Sequence, residues 1–576
     1  MRKSKILSTL LILFSFPLSA CDISNGQHVH TFAKGWSNDD NYHWHIATCG
    51  HDVVSEKAEH TFGDWTVVSE PSMTSPGRKV RSCSVCKYSQ GEDIQWEPPA
   101  GGDIVSLNIY ATNDVHGQVE SDGNRMSLLT IGSFLKDKSD DENTLLLDQG
   151  DSWQGSIYSN FNYGALVNDV MCAVHYDART VGNHDFDWGL EPLKNNTARS
   201  YNGYTIPVLS ANVYDYNFST KTEGNNFQTD IGQKTVTYTL ENGLKVGIVG
   251  VIGKNQITTI TSHYVRNICF KDHISIIKQE ATRLRNEGCN IVILSAHTGQ
   301  EDLLNEGLEN YVDLALCGHT HRNETTNEGN LYYAQFGCYN YYIGHIQLSY
   351  DTKNKQVVNT QIEALSRSKV ENAIIAPNSE IADIVNSYNN ECDEEANVVV
   401  ASNVTMFSRG EEAVNLMCRA VMDRCIEEGY DDVILSYCNT GRKDLPYGMW
   451  KYADIYNCFP FDNEIIIVNV LGSDILREVK NYNNICYNDS FNYQINRNSY
   501  YQIACIDYLL YHTDDDRYYN FFYSFNDTIV DKLSDNYRVI LRDWLLENHY
   551  DKGISLNSND YSNNVPCFNR SLINEM

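Results

Sequence analysis

Between residues 104 and 370, short apolar runs alternate with amphipathic stretches. The runs are VSLNIYA (105–111), TLLLD (144–148), KVGIVGVIG (245–253), NIVILSA (290–296) and DLALCG (313–318). HISIIKQEATRLRNEG (273–288) has the polar and apolar mixture of a helix lying on such a strand. Near-continuous apolar strands separated by helices predict an α/β layered core, with its strands covered on both faces. Downstream, NSEIADIVNSYNNECDEEAN (378–397) reads as a polar helix within a linker at 371–397. EEAVNLMCRAVMDRCIEEG (411–429) is amphipathic, and DVILSY, EIIIVNV and YYQIACI read as strands, predicting a smaller α+β domain at 398–552. The Asn/Ser-rich residues 553–576 read as a loose tail.

Residues 22–100 follow a different pattern. HTFAKGW (30–36) recurs as HTFGDW (60–65), followed by the Cys/His-bearing segments HWHIATCGH and RSCSVCKY. A period of roughly thirty residues suggests two copies of a small module. Cys49, Cys83 and Cys86, with His45, His51 or His60, are candidate zinc ligands. The alternative is a spacer in which these residues are incidental or disulfide-linked. The segment resembles the His/Trp/Cys repeats near the start of bacterial surface lipoproteins. QWEPPAGGD (95–103) reads as a Pro/Gly linker to the strand–helix block.

The first 21 residues read as an export leader: basic MRKSK, apolar ILSTLLILFSF, then PLSAC. LSAC resembles the bacterial lipobox, which implies cleavage before Cys21, a lipid anchor on its thiol and an extracytoplasmic position. The alternative is ordinary signal cleavage with Cys21 incidental. The formal net charge of -31 and the absence of a basic stripe exclude binding to a nucleic acid polymer through its phosphates. Such a field suits divalent cations, whereas an anionic substrate needs local positive charge. The remaining cysteines follow no regular framework, and no disulfide pattern is read from them.

Five apolar runs end in the same kind of residue. LNIYATNDVHG delivers Asp114 and His116, and LLLDQGDSW delivers Asp151. TVGNHDFDWG brings Asn183, His184 and Asp187, VILSAHTG brings His297, and ALCGHTH brings His319 and His321. In an open α/β sheet the carboxyl ends of parallel strands share one edge, so distant side chains converge there. Carboxylate, imidazole and amide oxygen without thiolate suit Mn, Zn, Fe or Mg. Two metals about 4 Å apart need a shared carboxylate, and Asp151, alone on its turn, fits that place.

In order along the chain, NDVHG, QGDSW, GNHDF, SAHTG and GHTH resemble the motifs of calcineurin-like metallophosphoesterases. With a second domain following, the chain is similar to the bacterial 5′-nucleotidase and UDP-sugar hydrolase branch. The resemblance implies one metal on Asp114, His116, Asp151 and His321, and a second on Asp151, Asn183, His297 and His319. It implies that His184 stabilises transition-state charge, with Asp187 orienting it. RKDLPYG (442–448) and NCFPFDNE (457–464) resemble the family's specificity domain. Arg409, Asn439, Arg442, Phe461, Tyr508 and Asp516 are then substrate-binding positions, with Phe461 and Tyr508 stacking a base. The usual glycines around Asp516 are replaced in TDDDRY, and the paired arginines reduce to Arg409. The implied activity is release of phosphate from nucleoside monophosphates. A cyclic nucleotide, a UDP-sugar or a sulfur ester are alternative substrates, and a non-catalytic surface binding lipoprotein is the alternative from another class.

Overall fold

The computed structural model describes residues 28–69, 76–94, 104–481, 484–511 and 529–576. Cys21 and its leader, the 95–103 linker and Asp516 lie outside the described residues. The chain divides between Pro98 and Pro99 into two compact units. The first unit contains two three-stranded sheets in its described residues. It separates the cysteines grouped in the sequence reading, because Cys49 belongs to one His/Cys cluster and Cys83 and Cys86 to another. His45 joins neither cluster: its ring stacks on Trp36 at 3.8 Å.

The predicted strands of the 104–370 block form two six-stranded sheets. In the first, Val208–Leu209, Ala178–Thr180, Thr144–Asp148 and Ile104–Thr112 run parallel, and Tyr342–Asp351 and Gln356–Ser366 complete the sheet antiparallel. In the second, Lys245–Ile252, Ile291–His297, Leu314–Cys317 and Leu331–Phe336 are the parallel centre between antiparallel edges. Alternation along the strands puts Leu107, Ile109 and Ala111 in one core with Val246, Ile248, Ile293 and Leu316. The sheets therefore pack face to face. On the far side of the second sheet, Val249, Val251, Val292 and Leu294 pack with Ile277, Ala281 and Leu284 of the helix His273–Asn286. Leu146 of the first sheet shares a core with Ile131 and Val170, from the helices Leu128–Ser139 and Ala165–Val174.

Both strand faces are covered, as the apolar runs predict, but each sheet has the other sheet on one side and helices on the other. The five ligand-bearing runs consequently lie in two stacked sheets and not along one open sheet. The stacking of the parallel strands still places their carboxyl ends on one rim.

The linker helix Ser379–Ala396 is capped by Asn378, whose side chain accepts from the Glu380 and Ile381 amides. Ile381, Ile384, Val385 and Cys392 are buried along it, while the Tyr388 hydroxyl donates to Asp169 at 2.7 Å. Beyond it, Ile485–Tyr487, Val433–Tyr437, Tyr500–Ile506, Glu464–Leu471 and Ile529–Asn536 form a five-stranded sheet. The helices Glu412–Glu427 and Tyr537–Leu545 pack in the same core. The expected loose tail is instead docked. Leu556, Tyr561 and Phe568 are buried, and Asn574–Glu575 pairs with Gln494–Ile495. Apolar side chains spaced among the Asn and Ser residues supply that attachment.

Beneath the rim, Arg179 is fully buried in the middle of its short strand. It pairs with Asp185, lies 3.9 Å from Asp148, donates to Ser152 Oγ at 3.1 Å and sits 3.6 Å from the Trp153 ring centre. Asp185 in turn accepts from the Gly182 amide at 2.7 Å, so the arginine holds the turn that carries Asn183 and His184. Removing one partner of a buried ion group leaves uncompensated charge, a loss of ~3–5 kcal/mol. Arg179→Met should therefore lower unfolding free energy by about 3 kcal/mol in denaturant titration. A change below about 0.5 kcal/mol, ordinary for a surface substitution, would contradict this assignment.

Candidate metal centre and substrate cleft

Each ligand-type residue lies at or just beyond the end of a buried strand, and most sit where the backbone turns sharply. Asp114, His116, Asp151, His319 and His321 all have positive φ, between 49° and 74°. This left-handed region is uncommon for residues other than glycine, and such outliers cluster at functional sites. Gly182 precedes Asn183 for a steric reason: a Cβ there would overlap Asp151 Oδ1.

The side chains form two clusters whose ligand atoms lie within 4.8 Å of one another: Asp114, His116 and His321, and Asp151, His297 and His319. In the first, His116 Nε2 and His321 Nε2 are 3.0 Å apart, and Asp114 Oδ1 is 3.6 Å from His321 Nε2. In the second, Asn183 Oδ1 lies 3.0 Å from both His297 Nε2 and His319 Nδ1. Asp151 Oδ2 reaches both clusters, at 3.2 Å from His297 Nε2 and 3.8 Å from His116 Nε2. The backbone orients these groups. His297 Nδ1 meets the Gln149 carbonyl at 2.8 Å, His116 Nδ1 meets the Gln154 carbonyl at 3.2 Å, and the His319 amide donates to Asp114. Asn113, a residue that sequence reasoning passed over, donates to Asp114 Oδ2 at 2.7 Å.

Burial sets the electrostatics. It lowers the His319 and His321 pKa values to about 4 and holds His116 well below its ordinary value. These rings are therefore neutral, the form in which imidazole ligates a cation. Burial also raises Asp114 to about 7. For His297, burial pulls the value down, but the Asp151 charge and hydrogen bond override it and raise it to about 9. The donors are all imidazole nitrogen and carboxylate or amide oxygen, so this ligand set fits borderline and hard divalent ions. His184 stands beside the clusters. Its amide donates to Asp151 Oδ1 at 2.8 Å, and its Nδ1 is 2.7 Å from Asp187 Oδ2.

A cleft of about 580 Å³ opens from this rim toward the second domain, bordered by His116, His184, Tyr339, Arg125, Arg442, Lys443 and Phe461. An adjoining cleft of about 490 Å³ is bordered by His184, Asp187, Asn439, Arg442, Phe461 and Tyr508. Arg442 and Phe461 border both. The Phe461 ring centre is 5.5 Å from that of His184, and the Arg442 guanidinium lies 4.9 Å from the Phe461 ring centre. Phe461 is held from behind, where Arg538 donates to its carbonyl and to that of Phe459. The neighbouring Pro460 carbonyl accepts from Gln154 and Asn160 of the first domain. Arg409 does not border either cleft. It is exposed and donates to the Arg442 carbonyl at 2.9 Å, supporting that loop from outside. Arg125, Lys443 and Tyr339 were not singled out from the sequence. Lys443 had a usable signal in its position next to Arg442, whereas Arg125 and Tyr339 lie on turns with no motif.

Residues 107–323 match the family model described as calcineurin-like phosphoesterase, and residues 395–551 match the 5′-nucleotidase C-terminal domain. A 5′-nucleotidase of Diplobatis ommata is 30% identical over 262 residues, covering 43% of this chain and 42% of that protein. The chain spans about half the length of the curated relatives it matches. Among solved structures, a 5′-nucleotidase precursor from Thermus thermophilus is similar in fold, with TM-score 0.61 at 18% identity over 77% of this chain and 96% of that one. A sulfate thiohydrolase from the same organism shares the fold at TM-score 0.57 and 12% identity, over 78% of this chain and 95% of that one. The ordered matches of both domains, on a fold that carries the site at its strand ends, make this chain a member of the family that joins a calcineurin-like phosphoesterase domain to a 5′-nucleotidase C-terminal domain.

Proposed function

We propose that the chain is a divalent-metal-dependent phosphohydrolase that releases phosphate from nucleoside monophosphates, acting outside the cytoplasm from a lipid anchor on Cys21. The observation that carries this reading is the position of Asp151, one carboxylate oxygen of which is within 4 Å of imidazole nitrogens from both ligand clusters. Asp114, His116, Asp151 and His321 would hold one cation, and Asp151, Asn183, His297 and His319 the other. When bound, two such ions supply an activated water and neutralise charge on a phosphoryl group.

The remaining work falls to the chain's own residues. The Asp187 carboxylate fixes the His184 ring through Nδ1, leaving Nε2 to donate toward phosphoryl oxygens. Asp187 also stabilises the imidazolium form, against the cost of burial. Arg442 supplies positive charge where the two clefts adjoin, opposing the acidic field of the chain. Phe461 and Tyr508 line the same adjoining cleft and offer ring faces to a base.

A second reading has one specific observation in its favour. Lys443 extends the positive charge of Arg442 along the larger cleft, with Arg125 beside it paired to Asp122, which suits a substrate with a further phosphate, such as a UDP-sugar.

Purified protein should hydrolyse AMP and an aryl phosphate only with added Mn or Zn. Asp151→Asn should abolish both activities, and His184→Ala should lower kcat by ~10²–10³-fold, the effect of losing one transition-state donor. Turnover by Asp151→Asn in the presence of a chelator would sink the mechanism. Base recognition is tested separately. Phe461→Ala should raise KM for AMP about fivefold, the low end of one lost stacking contact, and leave aryl phosphate hydrolysis nearly unchanged. Equal loss on both substrates would assign Phe461 to packing. Greater efficiency on a UDP-sugar than on AMP, lost in Lys443→Ala, would favour the second reading.

A further inference from the structure

The described residues of the N-terminal unit offer little apolar material to fold around. Its described residues form the sheets Ser37–Asn38, Tyr42–Ile46, Val54–Glu59 and Thr66–Ser69, Gly77–Ser82, Ser89–Ile94. Of the described side chains in this unit, only His43 and Cys83 are buried, at 3% and 0% exposure. Domains this small bury too little surface to be stable unaided, and they rely on disulfides or a structural metal. Cys49, Cys83 and Cys86 are all free thiols.

The two buried side chains belong to a cluster with His60 and Cys86, in which one ligand atom of each residue lies within 4.8 Å of the others. His60 Nε2 donates to the Asp39 carbonyl at 2.8 Å, which fixes the proton on that nitrogen. Its Nδ1 is left as a lone-pair donor, 3.4 Å from Cys86 Sγ. His43 Nδ1 is buried without a hydrogen-bond partner. Buried polar atoms of this kind need a partner, and each exception calls for a cause. A second cluster, of His28, His30, Cys49 and His51, meets the same distance limit. There His30 Nδ1 is 3.3 Å from Cys49 Sγ, and His51 Nδ1 is 3.0 Å from His28 Nε2.

The two clusters arise from one construction used twice. Phe32 bridges Ala47 in the first copy, and Phe62 bridges Cys83 in the second. The Thr48 amide donates to the Thr31 carbonyl, and the Ser84 amide to the Thr61 carbonyl, both at 2.8 Å. The histidine of each HTF segment thus faces a turn bearing cysteine. The residue after that cysteine is left-handed in both copies, Gly50 at φ 81° and Lys87 at φ 65°. His43, from the first copy, crosses into the second cluster and ties the copies together.

Four nitrogen and sulfur donors at one point fit zinc, which takes four such ligands tetrahedrally in structural sites and leaves none open. We propose that the N-terminal unit is a two-zinc module, with His28, His30, Cys49 and His51 holding one ion and His43, His60, Cys83 and Cys86 the other. The ions take the place of a hydrophobic core, so metal binding and folding of this unit are one event.

Cobalt replacing zinc in the purified full chain distinguishes these sites from the strand-end centre, which contains no thiol. A thiolate-to-cobalt charge-transfer band is expected in the wild type. It should weaken in Cys49→Ser, weaken further in the Cys83→Ser/Cys86→Ser double variant, and vanish when all three are replaced. Zinc content should fall by about one equivalent for each site removed. Because the variants are liable to unfold the unit, the wild type carries its own test: Cys49, Cys83 and Cys86 should resist alkylation until a chelator is added. Absence of the charge-transfer band, equal alkylation with and without chelator, or a Cys83–Cys86 disulfide would overturn the proposal.

Discussion

The structure depends on holding seven polar side chains together, five of them buried and His319 and His321 half-buried, at the ends of strands from two different sheets. Five of them occupy left-handed backbone positions. Each such residue costs of order 1–3 kcal/mol, and persists only where its surroundings over-determine it. The sandwich supplies that determination. Parallel strands from both sheets end at the same level, and the inner core of Leu107, Ile109, Val246, Ile248, Ile293 and Leu316 fixes one sheet against the other. Arg179 and its two carboxylates clamp the intervening turn. Backbone amides and carbonyls then orient Asp114, His116 and His297, so the side chains meet with little freedom left to lose.

The second domain completes the cleft from the opposite side. Pro460 hydrogen-bonds to the turn after Asp151, and Phe461 is thereby set beside His184. The ring that would stack on a base and the imidazole that would meet the phosphoryl group stand on facing domains. Arg442 borders both clefts and lies 4.9 Å from the Phe461 ring centre.

Much of this was legible in the sequence. The apolar runs matched strands to within a residue or two, because each is buried on both faces and needs continuous apolar character. Their polar endings marked the rim for the same reason: Asp114, Asp151, Asn183, His297 and His319 would be costly at those positions in an ordinary core. The division into two sheets was not legible, since strand character does not reveal which strands pair. Arg179 and Asp185 were passed over because a buried ion pair reads as two surface residues until burial is known. Arg409 was read from motif position alone; its side chain donates to the Arg442 carbonyl and does not itself border either cleft. The tail was misjudged from composition, because its few apolar residues, Leu556, Tyr561 and Phe568, are the ones that dock it. The N-terminal repeat announced its cysteines, but the crossing of His43 from the first copy into the second cluster is a property of the fold.

Anomalous scattering from crystals grown with manganese would address the shared aspartate directly. The account predicts two peaks at the strand-end rim, each with one Asp151 carboxylate oxygen at roughly the 2.0–2.2 Å typical of metal–carboxylate bonds. A single peak there, or two peaks with Asp151 bound to only one, would contradict it.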